Sequence, residues 1–213
     1  MRVGVFGGSF DPVHYGHLLL AECCREECQL DRVLFMPTAV PPHKQGCVLT
    51  AAAHRVAMLE LAISGNPGFD LSQYEVHRGG VNYTVDTLMH LHDQQPEVEL
   101  FFLMGADMLF DLPHWRNASM VCQLALPIAV RRGRSELDLT VLHGIASPER
   151  IAEIRQHQVA MPPVEISGTD IRRRVAHGRS IRYQTAPAVV QYIAEHGLYR
   201  EGALDLASVV RQP

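Results

Sequence analysis

Short, nearly continuous apolar runs alternate along the chain with longer stretches of helical spacing. Val3 and Val5 lie in a first run that reads as a buried strand, broken by Gly7, Gly8 and Pro12. Residues 15–28 then carry Leu18, Leu19, Leu20, Ala21 and Cys24 on one side of a helix. The run at 32–36 stops at Pro37 and is as unbroken as a strand buried on both faces of a parallel sheet. Thr50 is of the type that caps a helix, here one through Ile63 with Leu59, Ala62 and Ile63 inward. Residues 70–76 alternate and predict a third strand. Gly79 and Gly80 break the chain, and Thr84 is placed to cap a helix over 85–92. The strongest strand pattern is 99–104, followed by Gly105-Ala-Asp107, a short helix and Leu112-Pro-His-Trp115. Residues 125–130 predict a further strand in which Pro127 marks an edge or a bulge. Residues 131–147 are polar and read as a surface connection, 148–157 as a short helix and 164–166 as a last strand. A helix opens at 167–172, a longer one covers 187–195, and a tail follows Tyr199.

Strands alternating with helices predict an α/β fold, a doubly wound parallel sheet with a small C-terminal helical part. In such sheets ligands bind beyond the carboxyl ends of the strands, where strand order reverses. Each segment of unusual composition in this chain follows a predicted strand, which locates one cleft.

Composition narrows the picture. With 213 residues, 47% of them hydrophobic, the chain suits one core-bearing domain over residues 1–200 and a tail over 201–213. A net charge of −4 gives no electrostatic case for nucleic acid or an anionic membrane as partner, and no apolar run is long enough to span a membrane. The five cysteines form no Cys-x-x-Cys pair. Cys24 and Cys28 are one helical turn apart, but no second well-spaced pair completes a metal site, so buried free thiols are expected. The odd cysteine count and the lack of a signal peptide point to a reducing cytoplasm. Oligomeric state, including a homo-oligomer, stays open.

The chemistry concentrates at the start. A strand, a glycine turn and a helix place backbone N–H groups at the positive end of a helix, a geometry that binds phosphate. His14 and His17, three residues apart, share a helix face at that end. The turn has neither the glycine spacing of the dinucleotide-binding loop nor the Gly-Lys-Ser/Thr ending of the P-loop. Alone, a His-x-x-His pair is two surface histidines. Here it ends the ordered segment Gly7-Gly8-Ser9-Phe10-Asp11-Pro12-Val13-His14-Tyr15-Gly16-His17. That segment resembles the signature of the nucleotidyltransferase superfamily, whose core is His-x-Gly-His.

Ser167-Gly-Thr-Asp-Ile-Arg172 resembles the second signature of that superfamily, usually written Ile-Ser-Ser-Thr-x-Ile-Arg. Ser167 and Thr169 are cap-forming types at a helix start, and Arg172 can fork onto phosphate oxygens. Gly168 departs from the signature by standing where a second serine is usual. Pro41-Pro-His-Lys44, Asn82-Tyr-Thr-Val-Asp-Thr-Leu88, Gly105-Ala-Asp-Met108 with Leu112-Pro-His-Trp115, and Gly197-Leu-Tyr199 are similar to segments of one branch, the bacterial nicotinate-nucleotide adenylyltransferases. The resemblance extends from residue 3 to about residue 199.

It implies transfer of AMP from ATP to nicotinate mononucleotide, giving deamido-NAD and pyrophosphate, with Mg²⁺ arriving on ATP. It implies His14, His17, Lys44 and Arg172 for catalysis, and Gly7, Gly8, Ser9, Phe10, Gly105, Asp107, Ser167 and Thr169 for ATP. Tyr83, Thr84 and Trp115 are implied for the mononucleotide, the carboxylate on the helix start at Thr84 and the pyridine stacked on Trp115. Asp107 has two readings, a sugar contact or a cap on the helix after it. No carboxylate cluster suggests a dedicated metal site. The alternatives are a pantetheine-phosphate or nicotinamide-mononucleotide adenylyltransferase, and a nucleotide sensor without turnover.

Overall fold

A computed structural model describes residues 1–40, 49–132 and 137–200. The first apolar run forms strand β1 (Arg2–Gly8) and the stretch behind it helix α1 (Tyr15–Glu27). Then follow β2 (Arg32–Pro37), α2 (Ala52–Ile63), β3 (Phe69–Leu71), α3 (Tyr74–Arg78), α4 (Thr84–Gln94) and β4 (Glu99–Gly105). Next come α5 (Ala106–Asp111), α6 (Ala118–Leu124), β5 (Ala125–Arg132), α7 (Pro148–Gln156), β6 (Val159–Met161), α8 (Gly168–Ala176) and α9 (Pro187–Glu195). Single 3₁₀ turns lie at Leu112–His114 and Leu139–Leu142.

The six strands form one sheet in the order β3-β2-β1-β4-β5-β6, and every pairing is parallel. The first half of the chain winds outward from β1 in one direction, and the second half from β4 in the other. β1 and β4 therefore flank the point where strand order reverses. The central strands are buried on both faces: from Leu100 to Met104 every residue is buried, and Val33, Phe35 and Met36 of β2 are sealed. Helices returning between parallel strands start at the carboxyl edge of the sheet, so the starts of α1 and α4 rise from that edge, and α8 meets the loop that follows β1 there.

Several expectations are corrected. The strand predicted at 70–76 is only Phe69–Leu71, because Ser72 N–H closes the ladder on Phe35 O (2.9 Å) and the Ser72 hydroxyl accepts from Tyr74 N, opening α3. The last strand is Val159–Met161, not 164–166: Pro162 and Pro163 have no N–H to extend the ladder. Residues 131–147 are more than a surface link, since β5 runs to Arg132 and the 3₁₀ turn buries Leu139 and Leu142 three residues apart. Neither proposed threonine cap forms. Ala51 and Tyr83 occupy the cap positions of α2 and α4, and Thr84 is the first helical residue. Pro127 fits its reading, because β6 joins β5 only from Val130 onward, leaving β4 as the one neighbouring strand at that position.

Candidate active site

The His-x-Gly-His segment takes its shape from the residues between the histidines. His14 is the extended N-cap of α1 and His17 the third helical residue. Their rings stack with centroids 3.7 Å apart and an interplanar angle of 22°. A Cβ on Gly16 would sit 3.1 Å from the His14 ring, a tight contact, so glycine gives that ring room to fold back over the first turn. His17 Nδ1 accepts from the backbone N–H of His14 (3.3 Å). An accepting Nδ1 needs its lone pair, so in neutral His17 the ring proton sits on Nε2. The edge of Phe10 packs on the His17 ring at a centroid distance of 5.0 Å. Phe10 was expected among the ATP contacts, but its side chain is buried at 1% exposure against Phe6 and Phe35. That side chain forms a wall behind His17.

The loop between β1 and α1 is held from four directions through its carbonyls. Thr38 N–H donates to Gly8 O (3.0 Å), Arg55 Nη1 to Ser9 O (2.8 Å), Arg172 Nη1 to Asp11 O (2.5 Å) and the Thr185 hydroxyl to Val13 O (2.7 Å). The Asp11 carboxylate is buried; it accepts from the Tyr199 hydroxyl (2.6 Å) and from Thr50 N–H (3.2 Å). Burial pushes the Tyr199 phenol far above its ordinary range, helped by the Asp11 charge, so Tyr199 stays a donor. Arg55, 1% exposed, also gives Nε–H to Thr50 O (2.9 Å). Burial lowers its pKa while the nearby Asp11 charge opposes the shift. A loop so clamped presents its donors without first having to order.

Here the two signature segments touch. Ser167 is the N-cap of α8, its hydroxyl accepting from Asp170 N–H (3.1 Å). Arg172 spends one N–H on Asp11 O and another on the Thr169 hydroxyl (3.3 Å). A guanidinium has five N–H donors, so three lie outside these two bonds. A Cβ on Gly168 would lie 2.7 Å from Asp11 O. The residue that departs from the signature thus packs against the backbone of the first segment, and a serine there requires the two backbones to separate. One first-turn donor of α1, Tyr15 N–H, is already taken by Gln184 O (3.0 Å).

On either side of the switch point, a Cβ built on Gly7 or Gly105 meets nothing within 4 Å among the described residues, so there the carboxyl ends of β1 and β4 are open. Gly105, not Asp107, is the cap residue of α5. The cap reading of Asp107 therefore falls, and its exposed carboxylate stands in the first turn of α5. Lys44 and its Pro-Pro-His-Lys segment lie outside the described residues, as does the tail at 201–213.

The residues expected to hold the mononucleotide gather at the start of α4. Asn82 is buried and ties this start to the end of β2: its Oδ1 accepts from Ala39 N–H (2.9 Å) and from the Thr38 hydroxyl (3.3 Å). Its amide donates to Glu75 O (3.3 Å). Thr87 donates to the Glu75 carboxylate (2.7 Å), whose pKa is raised by burial. The first intrahelical donor of α4 is Asp86 N–H on Tyr83 O, so the N–H groups of Thr84 and Val85 precede the ladder. Trp115 is half-buried, edge-on to Phe102 at 5.8 Å, with Nε1–H on Asp111 (3.0 Å). The guanidinium of Arg116 lies over the Tyr83 ring at 4.8 Å, which joins the two segments.

Among the described residues no group of three or more His, Cys, Asp or Glu is arranged to hold a metal, and no helix is long and apolar enough to cross a membrane. Cys24, Cys28 and Cys122 are buried free thiols; burial raises the pKa of all three, to about 11 for Cys28 and Cys122.

Residues 5–174 match the family model described as Cytidylyltransferase-like. A protein of Thermomicrobium roseum named "Probable nicotinate-nucleotide adenylyltransferase" is 49% identical, the alignment covering 93% of this chain and 92% of the relative. One of Salinibacter ruber with the same name is 40% identical over 94% and 98% of the two chains. Among solved structures, the nicotinic acid mononucleotide adenylyltransferase of Plasmodium falciparum complexed with NaAD superposes with a TM-score of 0.74. At 20% identity, covering 93% of this chain and 97% of that one, it speaks for the fold.

Proposed function

The chain belongs to the nicotinate-nucleotide adenylyltransferase family, and from that premise we propose how its cleft performs the family's reaction. The enzyme transfers AMP from ATP to nicotinate mononucleotide, giving deamido-NAD and pyrophosphate in NAD biosynthesis. A phosphate oxygen of the mononucleotide attacks the α-phosphorus of ATP; the new P–O bond forms as the bond to pyrophosphate breaks. That phosphate is already a nucleophile at neutral pH, so no general base is needed. Catalysis reduces to holding two phosphates in line and stabilising the charge that builds on the transferring group.

One observation carries this reading: Arg172 of the second signature is bonded to Asp11 O of the first, so the histidine pair and the start of α8 share a single rigid frame. On that frame His17 Nε2–H, the first turn of α8 and the remaining Arg172 donors serve the α- and β-phosphates, with His14 fixing the His17 ring. Lys44 adds a mobile charge for the triphosphate tail. The open ends at Gly7 and Gly105 leave room for the nucleotide backbone, with Gly8 beside them, and Asp107 serves a sugar hydroxyl. Mg²⁺ comes with ATP, held by phosphate oxygens and water. Residues 1–200 act as one domain, and the reaction is cytoplasmic.

Tyr83, Thr84 and Trp115 take the mononucleotide. Backbone N–H groups at Thr84 and Val85 suit a carboxylate, which only accepts, while a carboxamide would bring donors to face donors. The positive end of α4 adds to the preference. Offered equal nicotinate and nicotinamide mononucleotide with ATP, the enzyme is expected to prefer nicotinate by on the order of 10²-fold in kcat/KM. Product ratios from one-pot competition measure it. Equal consumption would remove the carboxylate role from the α4 start.

A further inference from the structure

Thr84 does not account for all the charge near the acceptor site. Asp86, in the first turn of α4, is approached on the same oxygen, Oδ2, by Arg78 Nη2 at 3.0 Å and by Arg116 Nη1 at 3.5 Å. Two cations share one carboxylate, so the cluster carries a net charge of +1 at the end of the helix where the dipole is also positive. The two arginines are not equivalent. Arg78 makes the shorter bond and has a side chain 38% exposed. Arg116 makes the longer contact and is 58% exposed; its guanidinium lies over the Tyr83 ring, and it directly follows Trp115. Its charge therefore lies over Tyr83 and next in sequence to Trp115, the ring to which the pyridine is assigned.

We propose that Arg116 is a specificity-determining residue, the cation that makes this site favour an acidic pyridine nucleotide over its neutral amide. The proposal rests on the acceptor-site reading above. Asp86 would otherwise be the one carboxylate in this turn able to accept from a carboxamide NH₂. With two arginines on it, it offers an amide little, and the surplus charge lies with Arg116. Arginine suits the position because its planar group stacks on a ring while keeping its charge.

The test compares kcat/KM for nicotinate and nicotinamide mononucleotide, and KM for ATP, in the wild type, Arg116→Ala, Arg116→Lys, Asp86→Asn and Trp115→Ala. Arg116→Ala is expected to lower the nicotinate-to-nicotinamide ratio about fivefold, the ceiling for a solvent-exposed charge interaction. KM for ATP should not move. Arg116→Lys should recover part of the ratio, and added salt should compress the difference. Asp86→Asn, which raises the net charge, should not lower the ratio. An unchanged ratio in Arg116→Ala overturns the proposal. So does an equal fall in Asp86→Asn, which would mean the cluster only braces the helix start. Trp115→Ala separates the two levels: it should weaken both mononucleotides together. If it weakens neither, the acceptor-site reading fails and takes this proposal with it; if it weakens both while Arg116→Ala leaves the ratio alone, only the proposal fails.

Discussion

Replacing His17 with alanine is expected to cut turnover by about 10²–10³-fold, the loss seen when one pre-set donor to a developing charge is removed, about 2.7–4 kcal/mol. The effect on folding should be much smaller. His17 contributes one capping bond from His14 N–H and ring contacts with His14, Phe6 and Phe10. Losing a cap of this kind costs about 1 kcal/mol. Turnover and urea unfolding measured on the same preparation separate the two. Near-wild-type turnover in a folded His17→Ala protein would remove His17 from the phosphate site. A parallel loss of stability of several kcal/mol would make it a structural residue.

The second large effect is expected on stability, behind the signature loop. Arg55→Ala should destabilise the protein by about 3 kcal/mol or more, the cost of leaving a buried charge without its partner. Two carbonyls, Ser9 O and Thr50 O, lose their donor, and the buried Asp11 carboxylate loses its nearby cation. This is a substantial part of the roughly 5–15 kcal/mol by which a folded domain is stable. Equilibrium urea unfolding gives the number. A change under about 1 kcal/mol would show that the signature loop keeps its shape without Arg55.

Arg55 also shows where the sequence was harder to read. The signature loop, the Ser167 cap and the helix Pro187–Glu195 were legible because each is written locally, in glycine spacing, a cap residue or a proline at a helix start. Arg55 had one weak local sign: a charge on the same buried helix face as Val56, Leu59 and Ile63. Its partners are 5 and 46 residues away, and nothing near it names them. Tyr199 stood out only as part of a closing motif; its bond to Asp11 spans 188 residues. Arg116 had no sign at all, because its partners Tyr83 and Asp86 belong to another helix start.

The misplaced strands and caps have local causes of another kind. Val159–Met161 and the run at 164–166 each place two apolar residues around a middle one, and pairing with β5 decides between them. Thr50 and Thr84 have the right chemistry for a cap, but the cap goes to whichever residue keeps an extended backbone. At α4 that is Tyr83, with φ −99° and ψ 135°. The one-residue shift matters, since it makes the Thr84 N–H itself one of the donors ahead of the helical ladder.

The central claim is that the cleft holds two phosphates in line for one direct displacement, and stereochemistry at the α-phosphorus tests it most directly. ATP in which one oxygen on that phosphorus is replaced by sulfur, making the phosphorus a stereocentre of known configuration, would be turned over with nicotinate mononucleotide and the configuration of the dinucleotide product determined. One in-line displacement inverts the centre. Retention would mean two displacements through an adenylyl-enzyme, and would contradict a site built only to position and stabilise.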